Sequence, residues 1–216
     1  MRIVTLENSG EVYTSQVYLV LGNSSRLEDV NTLVDVGQDP AILASIAQAP
    51  TGVGKWPVEQ VVLTHNHYDH TALLPRVREA FHPKVFAFSP NTEGVDCLVR
   101  DGDTIKMGDA YFEVIHTPGH SSDSICLYNR AEGVLFAGDT PVVNAAATGT
   151  YEPDFLAAME KVCARDVRAI YFGHGPPMTE NCNVRLRESL TMAAGSGAGG
   201  EAGGFAGFLG SEQLKQ

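Results

Sequence analysis

Residues 63–71 read LTHNHYDHT, which places three histidines and an aspartate within six positions of a chain that holds seven histidines in all. The run that leads into it, VEQVVL over residues 58–63, is rich in β-branched residues and has the length of a strand. If that strand delivers the motif, His65 and His67, two positions apart, send both imidazoles to one side. Asp69 and His70 then fall on the turn into a following helix, where they can face a second point. Four ligand-type groups are thereby split two and two.

Neither pair completes a metal site, because a catalytic zinc ordinarily has three protein ligands and keeps a position open for water. The rest of the chain offers three more candidates in one local context. VIHTPGH presents His120, VLFAGDT presents Asp139 and IYFGH presents His174. Each follows a strand-like run, and each stands beside a glycine that permits close backbone approach. Polar groups at strand ends on such turns are typical of α/β active sites. The other two histidines read as structural, His82 in a loop before Pro83 and His116 inside a strand.

Together these residues resemble the hallmarks of the metallo-β-lactamase superfamily. Its HxHxDH motif is matched by His65, His67, Asp69 and His70, and its later motifs by His120 in TPGHS, Asp139 in GDT and His174 in GHG. LVDVG is similar to the family's early aspartate motif, which makes Asp35 a residue that braces the ligand loop from behind. The resemblance covers about residues 1–190. It implies an α/β fold of the αββα four-layer sandwich type, with the site at one edge between two sheets. By the family pattern His65, His67 and His120 would hold one metal, Asp69, His70 and His174 the other, and Asp139 would bridge. Two divalent cations are implied, zinc first, with iron or manganese also suited to imidazole and carboxylate ligands.

This is the glyoxalase II type of site. A class B1 β-lactamase would lack His70 and carry cysteine where Asp139 stands, and a flavodiiron protein would have glutamate in place of His67. The implied activity is hydrolysis of a thioester, lactone or related ester by hydroxide generated at a dinuclear site, with Asp69 also orienting the nucleophile and passing on its proton. The alternative on the same fold is a sulfur (persulfide) dioxygenase with a single iron on His65, His120 and Asp139, a facial-triad ligand type. A regulatory role without catalysis would leave seven such groups without a purpose. The longer glyoxalase II enzymes bind glutathione through a basic C-terminal helical domain. Only residues 175–216 follow His174 here, and nothing in them resembles it.

The composition agrees with a small-molecule enzyme. Apolar residues make up 44% and charged residues 19% of 216, enough for one buried core. Fifteen basic against twenty-six acidic side chains give a charge of −11, which disfavours nucleic acid, a nuclease role and anionic membrane surfaces. No apolar run is long enough to span a bilayer. The opening MRIVTLENSGEVYTSQVYLVLG alternates and contains Glu7, Asn8 and Glu11 where a signal peptide would be continuously apolar, so a cytoplasmic location is expected. A homodimer is compatible with all of this. The four cysteines lack a CxxC pairing and are read as reduced, with Cys126 and Cys163 in the core.

Strand-like runs recur at VYTSQVYLVLG, NTLVDVG, VEQVVLT, KVFAFS, DTIKM, AYFEVIHT, SICLYN, GVLFAGD and RAIYFGH. Helices are expected after the Asp39–Pro40 pair, over TALLPRVREAF, along the stripe Phe155, Leu156, Met159, Val162 and Cys163, and over NVRLRESLTM. One domain over residues 1–193 is expected. A tail, 194–216, follows it, in which GSGAGGEAGGFAGFLG carries eight of the chain's twenty-two glycines. Phe205, Phe208 and Leu209 in that tail would sit more comfortably docked on a folded surface than in water.

Overall fold

A computed structural model describes residues 1–24, 26–52, 54–143 and 152–195. In its first half β1 (Arg2–Thr5), β2 (Tyr18–Leu21), β3 (Thr32–Val34), β4 (Gln60–Val62), β5 (Lys84–Ala87) and β6 (Cys97–Leu98) pair in that order into one sheet. The first three strands are antiparallel and β3 to β6 are parallel. In the second half β7 (Thr104–Met107), β8 (Ala110–His116), β9 (Ile125–Asn129), β10 (Val134–Gly138) and β11 (Ala169–Phe172) form a sheet of order β11-β10-β9-β8-β7. It is antiparallel except for the parallel pair of β10 with β11. The helices are α1 (Ala41–Gln48), α2 (Tyr68–Thr71), α3 (Leu74–Phe81), α4 (Pro153–Cys163) and α5 (Cys182–Gly195).

Strands buried on both faces explain why so many runs read as continuously apolar. In β2, Leu19 and Leu21 pack outward on α1 and α3 through Ile42, Ile46, Leu74 and Val77. Their neighbours Tyr18 and Val20 point inward to the second sheet. In β9 and β10, Ile125, Leu127, Val134 and Phe136 meet them from that sheet, while Cys126, Tyr128, Leu135 and Ala137 pack outward on Phe155, Met159 and Val162 of α4 and Leu186 of α5. Period-two alternation thus feeds three apolar layers, the αββα sandwich expected.

Each anticipated strand run contains a strand, shorter than the run, and β1 and β6 are additions. α1 starts one residue late, with Pro40 rather than Asp39 at its N-cap. Asp39 still serves that end, since its Oδ1 accepts the Ala41 N–H at 3.0 Å. Cys126 is fully buried and Cys163 half-buried against the same core; all four cysteines are free. α5 continues to Gly195. The remainder of the expected tail, residues 196–216 with Phe205, Phe208 and Leu209, lies outside the described residues. Among the described residues no helix is long and apolar enough to cross a membrane.

Candidate metal centre

The candidate ligands follow the C-terminal ends of strands. β3 ends at Val34, β4 at Val62, β8 at His116, β10 at Gly138 and β11 at Phe172. Asp35, the His65–His70 run, His120, Asp139 and His174 come next in each case. Because β4 belongs to one sheet and β10 and β11 to the other, the site spans the edge where the sheets meet. Ile125 N–H donates to Thr64 O at 2.9 Å across that junction.

There the seven side chains converge. His65, His67 and His120 bring ligand atoms within 4.8 Å of one another, as do Asp69, His70 and His174, and also His65, His70 and Asp139. His120 Nε2 is 2.8 Å from His67 Nδ1, and His174 Nε2 is 3.0 Å from Asp69 Oδ2. Asp139 stands between the two triads, its Oδ2 3.5 Å from His120 Nε2 and 3.4 Å from His174 Nε2. His65 and His70 are buried, whereas His67 and His120 are open to solvent and mark the entrance. A cavity of about 250 Å³ adjoins them, walled by Asp139, Val142, Val143, Phe172 and His174.

Asp35 aligns the buried pair from behind. It adopts a left-handed backbone with φ of 58°, which an aspartate tolerates better than most residues. Its carboxylate accepts the Thr64 N–H and the Thr64 hydroxyl, each at 2.8 Å, and lies 2.8 Å from His70 Nδ1. The Thr64 hydroxyl is in turn 3.1 Å from His65 Nδ1. With both Nδ1 atoms engaged, both Nε2 atoms are left for the site, the arrangement by which outer partners orient metal-binding imidazoles.

Burial pushes the His65 pKa down to about 4, so this ring is neutral and able to coordinate near neutral pH. Burial works against a charge on His70 too, but Asp35 and Asp139 outweigh it and raise that pKa to about 10. Asp139 is the counterpart: burial opposes its charge, and the neighbouring histidines, His70 foremost, lower its pKa to about 2. Around His70 and Asp139 the pocket therefore favours charge, while His65 is held neutral.

The residues fit a cation. His65 Nε2 is buried without a hydrogen-bond partner, a cost of about 1–3 kcal/mol that coordination would remove, and the buried His70 Nε2 and Asp139 Oδ1 have only a long 3.3 Å contact with each other. The backbone makes room as well. A Cβ on Gly173 would lie 2.0 Å from Asp139 Oδ1 and 2.7 Å from His70 Cε1, so only glycine leaves those two groups in place.

A family profile for the metallo-beta-lactamase superfamily matches residues 12–174, well over half of the chain. The chain belongs to the metallo-beta-lactamase superfamily. It is 30% identical over 173 residues to the hydroxyacylglutathione hydrolase of Methylobacterium nodulans, covering 73% of this chain and 66% of that protein. It is 26% identical over 162 residues to the atrochrysone carboxyl ACP thioesterase of Cryptosporiopsis sp., covering 74% of this chain and 49% of that one. The chain thus spans about half the length of the thioesterase it matches. The crystal structure of ETHE1 from Myxococcus xanthus superposes with a TM-score of 0.68 at 21% identity, covering 90% of this chain and 85% of that one, which shows a shared fold. Membership of this superfamily implies divalent-metal binding.

Within the metallo-beta-lactamase fold the sequence motifs did not single out every residue that shapes the centre. Thr64 sits inside the quoted motif, yet its link between Asp35 and His65 needed the turn geometry to be seen. Thr117 and Thr140 share a buried hydroxyl contact of 2.9 Å that ties the His120 loop to the Asp139 turn. His116 braces the same loop, its Nε2 2.9 Å from Ser122 O and its ring stacked on Phe88. His82 caps the end of α3, away from the site. Tyr13, in the long loop between β1 and β2, reaches the centre from a part of the chain that carries no motif.

Proposed function

We propose that this chain is a metal-dependent hydrolase of a small thioester, or of a related ester or lactone, working with two divalent cations, zinc first. The observation that carries the reading is the pair of histidine-containing triads with Asp139 between them. His65, His67 and His120 would hold one ion, Asp69, His70 and His174 the other, and Asp139 would touch both. When bound, such ions lower the pKa of a coordinated water toward about 7 and polarise a carbonyl oxygen. Asp69, partly exposed beside His174, orients the attacking water and accepts its proton at a carboxylate oxygen. Val142, Val143 and Phe172 supply an apolar wall for the acyl group. Both relatives described above carry thioester chemistry in their names, which supports this reaction class. The charge of −11 favours a small molecule over nucleic acid as substrate.

The test is elemental analysis of the purified protein together with hydrolysis of thioesters and lactones. About two zinc ions per chain and thioester turnover are expected. His67→Ala and Asp139→Ala should abolish turnover while leaving the far-ultraviolet circular dichroism unchanged. A fully metal-loaded Asp139→Ala protein with intact turnover would refute the reading, and one iron per chain with oxygen uptake would replace it by sulfur dioxygenation.

A further inference from the structure

The loop between β1 and β2 crosses the mouth of the centre and is fastened on both sides of it. Ser15 N–H donates to the carbonyl of Asp69 at 3.1 Å, and Gln16 N–H donates to the carbonyl of Gly173, next to His174, at 2.7 Å. Gln38 holds the preceding turn, its N–H donating to Thr14 Oγ1 at 2.9 Å and its side-chain amide to the carbonyl of Tyr13. These bonds lay the Tyr13 ring on His174, with centroids 4.9 Å apart and planes 17° from parallel. The phenol oxygen is then 3.3 Å from His174 Nε2, while the side chain stays 72% exposed.

Among the described residues that nitrogen is the only hydrogen-bond contact of the Tyr13 hydroxyl. Nε2 also faces Asp69 and Asp139. A cation held by His174 claims the nitrogen's lone pair, and the phenolic O–H, with no other protein acceptor among the described residues, is left facing solvent at the site, where a substrate oxygen can replace water. We infer that Tyr13 is a catalytic hydrogen-bond donor to the substrate: its O–H meets the carbonyl oxygen of the acyl group and strengthens its bond as negative charge gathers there. The phenol keeps its proton throughout, and no bond to Tyr13 forms or breaks. The inference rests on the hydrolase reading above, and it explains why an exposed tyrosine is held so firmly beside the centre. Donors fixed in place before reaction are the effective ones.

Tyr13→Phe keeps the ring on His174 and removes the hydroxyl; Tyr13→Leu removes both. Zinc content, affinity for methylphosphonate as a tetrahedral anion measured by calorimetry, and hydrolysis of S-phenyl thioacetate are compared. Tyr13→Phe should keep full zinc content and an unchanged KM while losing about tenfold or more in kcat and in methylphosphonate affinity. That is less than the ~10²–10³ of buried oxyanion donors because this hydroxyl is exposed to water. Tyr13→Phe with wild-type kcat and methylphosphonate affinity overturns the inference. So does a loss in both variants that simply follows their zinc content, since Tyr13 would then only hold His174. If the wild type cleaves no thioester, ester or lactone, the hydrolase reading fails, and the methylphosphonate comparison still decides the role of the hydroxyl.

Discussion

Replacing Asp35 by asparagine isolates the device that aims His70. Asparagine is as comfortable as aspartate at the positive φ of this residue, so the backbone should hold. The amide oxygen can take over the Thr64 N–H, but an NH₂ then occupies the place of Oδ2, which faces the Thr64 hydroxyl and His70 Nδ1, both at 2.8 Å. His70 must accept there, and its remaining proton moves to Nε2, toward Asp139 Oδ1 at 3.3 Å. A cation would have to displace that proton and bind an imidazole that has lost its anionic partner. Loss of such a partner weakens metal affinity about 10–100-fold, or about 1.4–2.7 kcal/mol. Loss of a buried charge-assisted hydrogen bond lowers folding stability by about 1.5–3 kcal/mol as well. Competition against a chelating dye reads the first quantity and calorimetric unfolding the second. A folded Asp35→Asn protein with wild-type zinc affinity would refute the account of how His70 is aimed.

Two other outcomes test the packing around the centre. Gly173→Ala should destroy metal binding, because its Cβ would lie 2.0 Å from Asp139 Oδ1, whereas Gly175→Ala has nothing within 4 Å and should cost only about 1–2 kcal/mol for its φ of 87°; equal metal content in the two variants would contradict this. Cys126 is fully buried and its thiol is pushed up to about 11 by burial, so iodoacetamide should leave it unmodified in the folded protein and label it after denaturation, as read by peptide mass spectrometry.

The sequence by itself determined most of the elements and the candidate ligands of the site. Strand runs ending in short polar turns are local patterns, and the HxHxDH spacing encodes ligand direction over a few residues. β1 and β6 escaped because they are short, four and two residues, and take shape by pairing with β2 and β5. What only the tertiary structure decided are contacts between distant parts of the chain. Asp35 meets Thr64 and His70 because β3 and β4 are parallel neighbours. Asp139 stands between two triads because the second sheet packs face to face on the first. Tyr13 reaches His174 through backbone bonds donated by Ser15 and Gln16 to the turns after β4 and β11. Backbone groups are the same at every residue, so such bonds leave no signature in the order of the side chains, and only the folded chain reveals which of them meet.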